Sequence, residues 1–481
     1  MCTARRNGFV LIAVLVIVGS AVLVATGVLF IAQGRAAEVA GSSDAVQSRA
    51  LAWSGLQAVM ARLADQRDRI LAGQTPEVDR QYTIYEAGSH AGVIRVLPIS
   101  SQSDVLLSAE AGKLDLNTVS AELLVRTGMI DAATAAAIIA QRDRTADRGF
   151  QSVGELLSLT AAPIAPAKLY GEIAEIKPRD QAQQVQGDLA QRVAARLQPQ
   201  RVRGLCDVLT VFSVEPNVQK DGKPRINLNV PWSEELATQV RTRLGQSAVN
   251  LIREAVAKGA ALDSEASLVK LLASAELPVQ DWPEFLDALT VQADELRLGR
   301  LDINTAPAEA LASLPGLTSE QASQIADLRQ HIADDERGTI AWPVIAQIVS
   351  AENLQQIADR ITTRCWSYSI RLAAGEVDAD HPNGPLSNPI IWEAVVDLSS
   401  SSPRLAYLRD ISVLQAASQI ALDATANQVG GPDETNEDSP EQQAAARTPP
   451  DDSVLQSPAT EPAEPARGTG KRIGRWIGGG G

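Results

Sequence analysis

The chain is poor in the residues on which most catalytic and metal centres depend. Its 481 residues include only three cysteines, three histidines and three methionines. No Cys-x-x-Cys pair or Cys/His cluster occurs, which excludes a disulfide-dense scaffold and a structural zinc site. Any metal would have to be held by oxygen. His90, His331 and His381 lie far apart in sequence, leaving a hydrolase triad few possible members. Also missing are the phosphate loop Gly-x-x-x-x-Gly-Lys-Ser/Thr, Gly-x-Gly-x-x-Gly, Gly-x-Ser-x-Gly and His-Glu-x-x-His. Aromatics are only 4% of the chain, so Trp53, Trp342, Trp366 and Trp392 are expected to serve packing or an interface. Basic residues are in deficit, 43 against 58 acidic, and the resulting charge of −15 repels phosphate, which argues against nucleic acid as the main partner. The expectation is a protein that is not an enzyme.

What the sequence does have is a long apolar start. Phe9 to Ala32 carries no charge and is almost entirely Val, Ile, Leu, Ala and Phe. At about 1.5 Å per residue such a helix can cross a bilayer. Arg5 and Arg6 precede it with no acidic residue, so the positive-inside rule keeps the leader cytoplasmic and places the bulk outside. A cleaved secretory signal is one reading and a plain single-span anchor another. A third comes from Arg5-Arg6-Asn7-Gly8 followed by Phe9, which resembles a type IV prepilin processing site. The resemblance implies cleavage after Gly8 by a prepilin peptidase and methylation of the new amine of Phe9. Downstream, Arg35 to about Asp68 stays helix-compatible, with Val39, Val46, Leu51, Ala52, Leu56, Val59, Met60 and Leu63 near a 3.6-residue period. Prepilins usually carry Glu at the fifth mature position, which here is Ala13.

One segment recurs. Lys113-Leu114-Asp115-Leu116-Asn117-Thr118 returns as Arg300-Leu301-Asp302-Ile303-Asn304-Thr305, and more weakly as Arg225-Ile226-Asn227-Leu228-Asn229-Val230. Repeats of this kind announce one supersecondary unit used again. Each is read as a short extended piece, a cap at Asn117-Thr118, Asn229 or Asn304-Thr305, then a helix with Glu in its first turn. Gly128-Met129-Ile130-Asp131 then leads to a helix over Ala132–Arg144, and Pro315-Gly316-Leu317-Thr318 to one over Ser319–Ile332. These units resemble helix-hairpin-helix modules, including those of membrane-anchored DNA-uptake receptors. A phosphate-binding hairpin usually offers Gly-x-Gly beside basic residues, whereas here Thr318 replaces the second Gly and Asp327, Asp334, Asp335 and Glu336 follow.

Between and around the units the pattern turns β-branched and alternating. Tyr82–Tyr85 and Gly92–Val96 read as a hairpin, Asp207–Val214 as a central strand, and Trp366–Leu372, Ile390–Leu398 and Arg404–Asp410 as later strands of one small antiparallel sheet. The fold class is α+β: an N-terminal transmembrane pilin-like helix, a small antiparallel sheet and a large inserted α-helical domain. The expected divisions are 1–8 leader, 9–32 transmembrane helix, 33–112 pilin-like helix and first strands, 113–200, 201–299 and 300–364 for the three repeats, 365–422 for the last strands, and a disordered tail over 423–481 rich in Ala, Glu and Pro.

The missing Glu at Ala13 together with the Leu-Asn-Thr units resembles the general secretion pathway protein K family, the K-type minor pseudopilins of type II secretion. The resemblance spans about Arg5 to Arg409. It implies an inner-membrane protein with a periplasmic head, partnered by the other minor pseudopilins, that helps to initiate and cap the pseudopilus tip. A membrane-anchored DNA receptor and a type IV pilus minor subunit stand as alternatives. Cys206 and Cys365 precede strands in an oxidising setting and either pair or stay as buried thiols. Glu376, Asp378 and Asp380, with His381 near them, offer hard oxygen ligands in a loop. Relatives in this family bind calcium, so that loop is either a calcium site or an ordinary solvated acidic turn.

Overall fold

The computed structural model describes residues 7–99, 105–144, 149–173 and 201–412. The leader residues 1–6, with Cys2, and the tail over 423–481 lie outside the described residues. A single helix, α1, runs over Asn7–Ala64. With 58 residues it is about 87 Å long. No proline interrupts it, and two hydroxyls in its apolar part are absorbed by the turn before them: Ser20 donates to the Ile17 carbonyl at 2.9 Å and Thr26 to the Val22 carbonyl at 2.8 Å. The stretch Val14–Arg35 is long and apolar enough to span a membrane, and its side chains are exposed.

The far end of α1 is built differently. Leu51, Ala52, Leu56, Val59, Met60 and Leu63 are buried at helical spacing. They meet a six-stranded antiparallel sheet formed by β1 (Gln81–Ala87), β2 (His90–Leu97), β3 (Leu107–Ala109), β4 (Ser367–Asp378), β5 (Ser387–Asp397) and β6 (Arg404–Asp410). The order is β1-β2-β4-β5-β6, with β3 beside the start of β4. Period-two alternation divides the faces. Ile94, Val96, Ile370, Leu372, Trp392 and Ala394 pack with the α1 residues, while Val93, Leu97, Ala373, Val377 and Ile391 form a second cluster behind. The helix comes so near β2 at Gly55 that a Cβ there would lie 1.3 Å from Ile94 Cδ1. Val46, expected on the packed stripe, is exposed, and α1 ends at Ala64 rather than Asp68.

The expected hairpin of β1 and β2 is present, and so are the pairings of β4 with β5 and β5 with β6. One expected strand is not in this sheet. Within Asp207–Val214, Leu209–Thr210 instead pairs in parallel with Leu114–Asp115. The sheet strands therefore lie before and after the helical units, not between them.

Each unit holds two helices joined by a turn: Ala121–Arg126 with Ala132–Arg144, Glu234–Leu244 with Gln246–Ala257, and Ala308–Ser313 with Ser319–Leu328. Gly128, Gly245 and Gly316 occupy these turns at φ of 72°, 87° and 79°, where an L side chain would be strained. The last helix stops at Leu328, short of the expected Ile332. The first and third units share one core, in which Leu116, Leu124, Leu301, Leu311 and Trp342 are buried together. The second has a core of its own around Leu236, Val240, Val249 and Ile252, and also sends Val269, Leu272 and Trp282 into the shared one. It is reached by a two-stranded stem in which Val214–Pro216 pairs with Leu296–Leu298.

Candidate functional site

Each helical unit is tied off by one device. Its opening dipeptide pairs in parallel with a closing dipeptide: Leu114–Asp115 with Leu209–Thr210, Ile226–Asn227 with Leu289–Thr290, and Leu301–Asp302 with Ile361–Thr362. The opening Asp115, Asn227 and Asp302 accept from the N–H two residues on, at Asn117, Asn229 and Asn304, over 2.8, 2.9 and 2.9 Å. The closing hydroxyls of Thr210, Thr290 and Thr362 accept in the same manner from Phe212, Gln292 and Arg364, over 3.1, 3.2 and 3.2 Å. Short polar side chains suit these places because they reach their own backbone and stop a two-residue ladder from growing. The closing signal is present in the sequence as Asp207-x-Leu-Thr, Asp287-x-Leu-Thr and Asp359-x-Ile-Thr, a second repeat beside the opening one.

The expected caps act differently. Ser120 and Ser233 cap the first helices through their hydroxyls, and Pro307 holds the matching place in the third unit. Asn117 instead works as a backbone mimic, accepting from Phe150 N–H at 2.7 Å and donating to the Phe150 carbonyl at 3.0 Å. Asn304 accepts from Trp342 Nε1 and donates to the Arg337 carbonyl, both at 3.0 Å. The Thr305 hydroxyl donates to Asp302 Oδ2 at 2.7 Å and that of Thr118 to the Asp115 carbonyl at 3.4 Å. Asn229 lends only its backbone N–H to the turn. Burial, which outweighs the hydrogen bonds each carboxyl accepts and, at Asp302, the charge of Arg329, pushes both Asp115 and Asp302 up to about 6.

Two buried polar centres join the units to the rest. Glu110 accepts from Lys113 Nζ at 2.6 Å, from Ser369 Oγ at 2.5 Å and from the Thr210 hydroxyl. One carboxylate thus ties the opening and the close of the first unit to β4. The second centre lies where the second and third units meet. Arg297 pairs with Glu215 at 2.5 Å and Glu265 at 3.5 Å, Arg300 with Glu265 at 3.3 Å, and Arg364 with Asp287 at 2.7 Å. All of these side chains are buried. Burial raises the Glu215 carboxyl, but Arg297 foremost overrides it and holds the group at about 2. Burial, then the charges of Arg297 and Arg364, push Arg225 down to about 9. Losing one member of such a pair typically costs about 3–5 kcal/mol, because the other is left buried and uncompensated.

Cys206 and Cys365 are both free thiols, not a disulfide. Burial pushes each up to about 12, so neither is a thiolate at neutral pH. Glu376 and Asp378 are strand residues of β4, not loop residues as expected. Glu376 accepts from Gln47 Nε2 at 2.5 Å and from the Tyr85 hydroxyl, which fastens β4 to α1 and β1. Asp378 accepts from Asp380 N–H at 3.0 Å. Among the described residues no three His, Cys, Asp or Glu side chains gather as a metal would need. Gly8, Phe9 and Ala13 lie in the first turns of α1, and their side chains are outside the described part.

The second helix of each flanking unit begins under a cap supplied by the chain itself. Asp131 accepts from Thr134 N–H at 2.8 Å and Thr134 Oγ1 at 2.9 Å, and Thr318 from Gln321 N–H at 3.1 Å. No protein-family model matches this chain, and a search of the curated proteins finds no match either.

Proposed function

We propose that the protein is a K-type minor pseudopilin of type II secretion. It is held in the inner membrane by α1 with its head in the periplasm, and it helps to initiate and cap the pseudopilus tip. One observation carries the reading: α1 passes without a break from an exposed apolar stretch into the core of an antiparallel sheet. An ordinary tether needs no such rigidity. A filament subunit does, because the apolar rod must hold the head at a fixed height and angle while it is drawn from the lipid. Ala13 fits the tip position, since a carboxylate there serves to neutralise the amine of a preceding subunit and is costly without one. The helical units between β3 and β4, pilin-like in placement and helix-hairpin-helix-like in form, make a head too broad to be stacked upon.

The partners on this reading are the other minor pseudopilins and the prepilin peptidase acting at Gly8 and Phe9. No catalysis is assigned to the protein, and calcium has no part in the proposal. The DNA-receptor alternative needs free N–H groups at the start of each second helix. Asp131 and Thr318 each already occupy one of those groups, and the Asp131 carboxylate would also repel a phosphate. The test is N-terminal sequencing of the mature protein. Phe9 is expected as the first residue, with Gly8→Ala left unprocessed. A mature form beginning elsewhere, or firm salt-dependent binding of duplex DNA, overturns the reading.

A further inference from the structure

The residue before each opening dipeptide is basic in all three units: Lys113, Arg225 and Arg300. Two of these have a carboxylate of the chain as partner, Lys113 at Glu110 and Arg300 at Glu265. Among the described residues Arg225 has none at ion-pair distance, and its Nε donates to the Val218 carbonyl at 3.1 Å. Beside it is a cavity of about 30 Å³ whose lining includes Arg225, Arg297, Arg300 and Arg364 against Glu215, Glu265 and Asp287. The side chains facing this space therefore carry one more positive charge than negative. Arg297, only 3% exposed at its side chain, leaves Nε without an acceptor, and Glu215 leaves Oε2 without a donor.

Arg225 is half-buried, whereas Arg297 is shut from water, and charge with so little access to water calls for a counter-charge. We propose that this cavity is a binding site for one small monovalent anion of the chloride class, which supplies to Arg225 the counter-charge that Glu110 and Glu265 supply to Lys113 and Arg300. The volume suits one halide with a water beside it, since about 10–15 Å³ of such space admits one water. The water donates one hydrogen to Glu215 Oε2 and the other to the anion, which separates the two negative charges. The anion accepts from Arg297 Nε and from Arg225. It thereby fastens the opening of the second unit to the stem that carries it.

The probe is halide itself, on the full chain in detergent micelles. Thermal unfolding is followed at constant ionic strength while sodium chloride replaces sodium gluconate, whose anion is too large for the cavity. Above the dissociation constant each tenfold rise in chloride is expected to raise the folded-to-unfolded ratio about tenfold, with a steady rise in melting temperature. Arg225→Gln is expected to abolish that dependence. A crystal grown in bromide is expected to show one anomalous peak in the cavity, a readout that does not require the variant to fold. Equal melting in chloride and gluconate, or a cavity holding water alone in bromide, overturns the proposal.

Discussion

Asp302 gives the sharpest test of how the helical units are closed. The residue is 2% exposed and its carboxyl pKa is raised from the usual 3.8 to about 6, first by burial. A raised carboxyl pKa means that the folded state holds the proton more tightly than the unfolded one. Its penalty is absent at low pH, grows as pH rises through the interval between 3.8 and about 6, and is complete above it. At about 1.36 kcal/mol per unit the full penalty is about 3 kcal/mol. Asp302→Asn removes the ionisation and keeps the shape. Its amide oxygen still accepts from Asn304 N–H, and its NH2 donates to the Thr305 hydroxyl, which reverses its role. The second unit already uses Asn227 at this place.

After about 1 kcal/mol for a rearranged hydrogen bond, the variant is expected to gain about 2 kcal/mol at pH 7.5 and to lose about 0.5 kcal/mol near pH 4. Asp115→Asn is the contrast. Asp115 Oδ2 accepts from the backbone N–H of Ser213 at 3.0 Å, a group that cannot reverse, so the gain is offset by an orphaned donor costing about 1–3 kcal/mol. Urea midpoints of the full chain in micelles between pH 4 and 7.5 read both variants. If Asp302→Asn is less stable than the parent at pH 7.5, or leaves the parent's slope between pH 4 and 6 unchanged, the burial argument is wrong.

Other outcomes follow from single contacts. Gly55→Ala is expected to cost about 1–3 kcal/mol by forcing α1 off β2, and Ile94→Ala in the same chain to restore part of the loss, read by a double-mutant cycle in urea. Asn117→Ala strips both hydrogen bonds from the buried Phe150 backbone and should lower stability by about 2–4 kcal/mol, whereas Asn229→Ala, at a place that lends only its backbone, should fall within about 0.5 kcal/mol. Cys365, buried and with its thiol donating to the Ser367 carbonyl at 3.0 Å, should resist iodoacetamide until the protein unfolds. A Cys206–Cys365 disulfide found by mass spectrometry would refute that arrangement.

Elements set by periodicity were legible before the structure. The α1 stripe from Leu51 to Leu63, the β1–β2 hairpin and the β4–β5–β6 order all follow from local pattern and short connection. The misreadings share another cause. Leu209–Thr210 looks like any β-branched strand, and only its partner 95 residues earlier decides which sheet it joins. Asn117 and Asn304 stand where caps are commonly found, but the turn set by Asp115 and Asp302 carries each helix start several residues on. The Arg297, Arg300, Arg364 and Arg225 centre left no local signature, because its charges come from segments far apart in the chain. The closing signal, Asp-x-Leu-Thr or Asp-x-Ile-Thr, is legible in the sequence because the ends of the units repeat as their beginnings do.

The parallel ladders place the two ends of every unit side by side, so each is a bud on a narrow neck. Residues added at the crown of a bud leave the neck as it was, and the entropic toll of a longer closed loop grows only with the logarithm of its length. The head is thus free to swell over generations while the six strands beneath it never need rethreading. Bulk and shape can be tuned at one end of the molecule without disturbing how the other end sits on its rod.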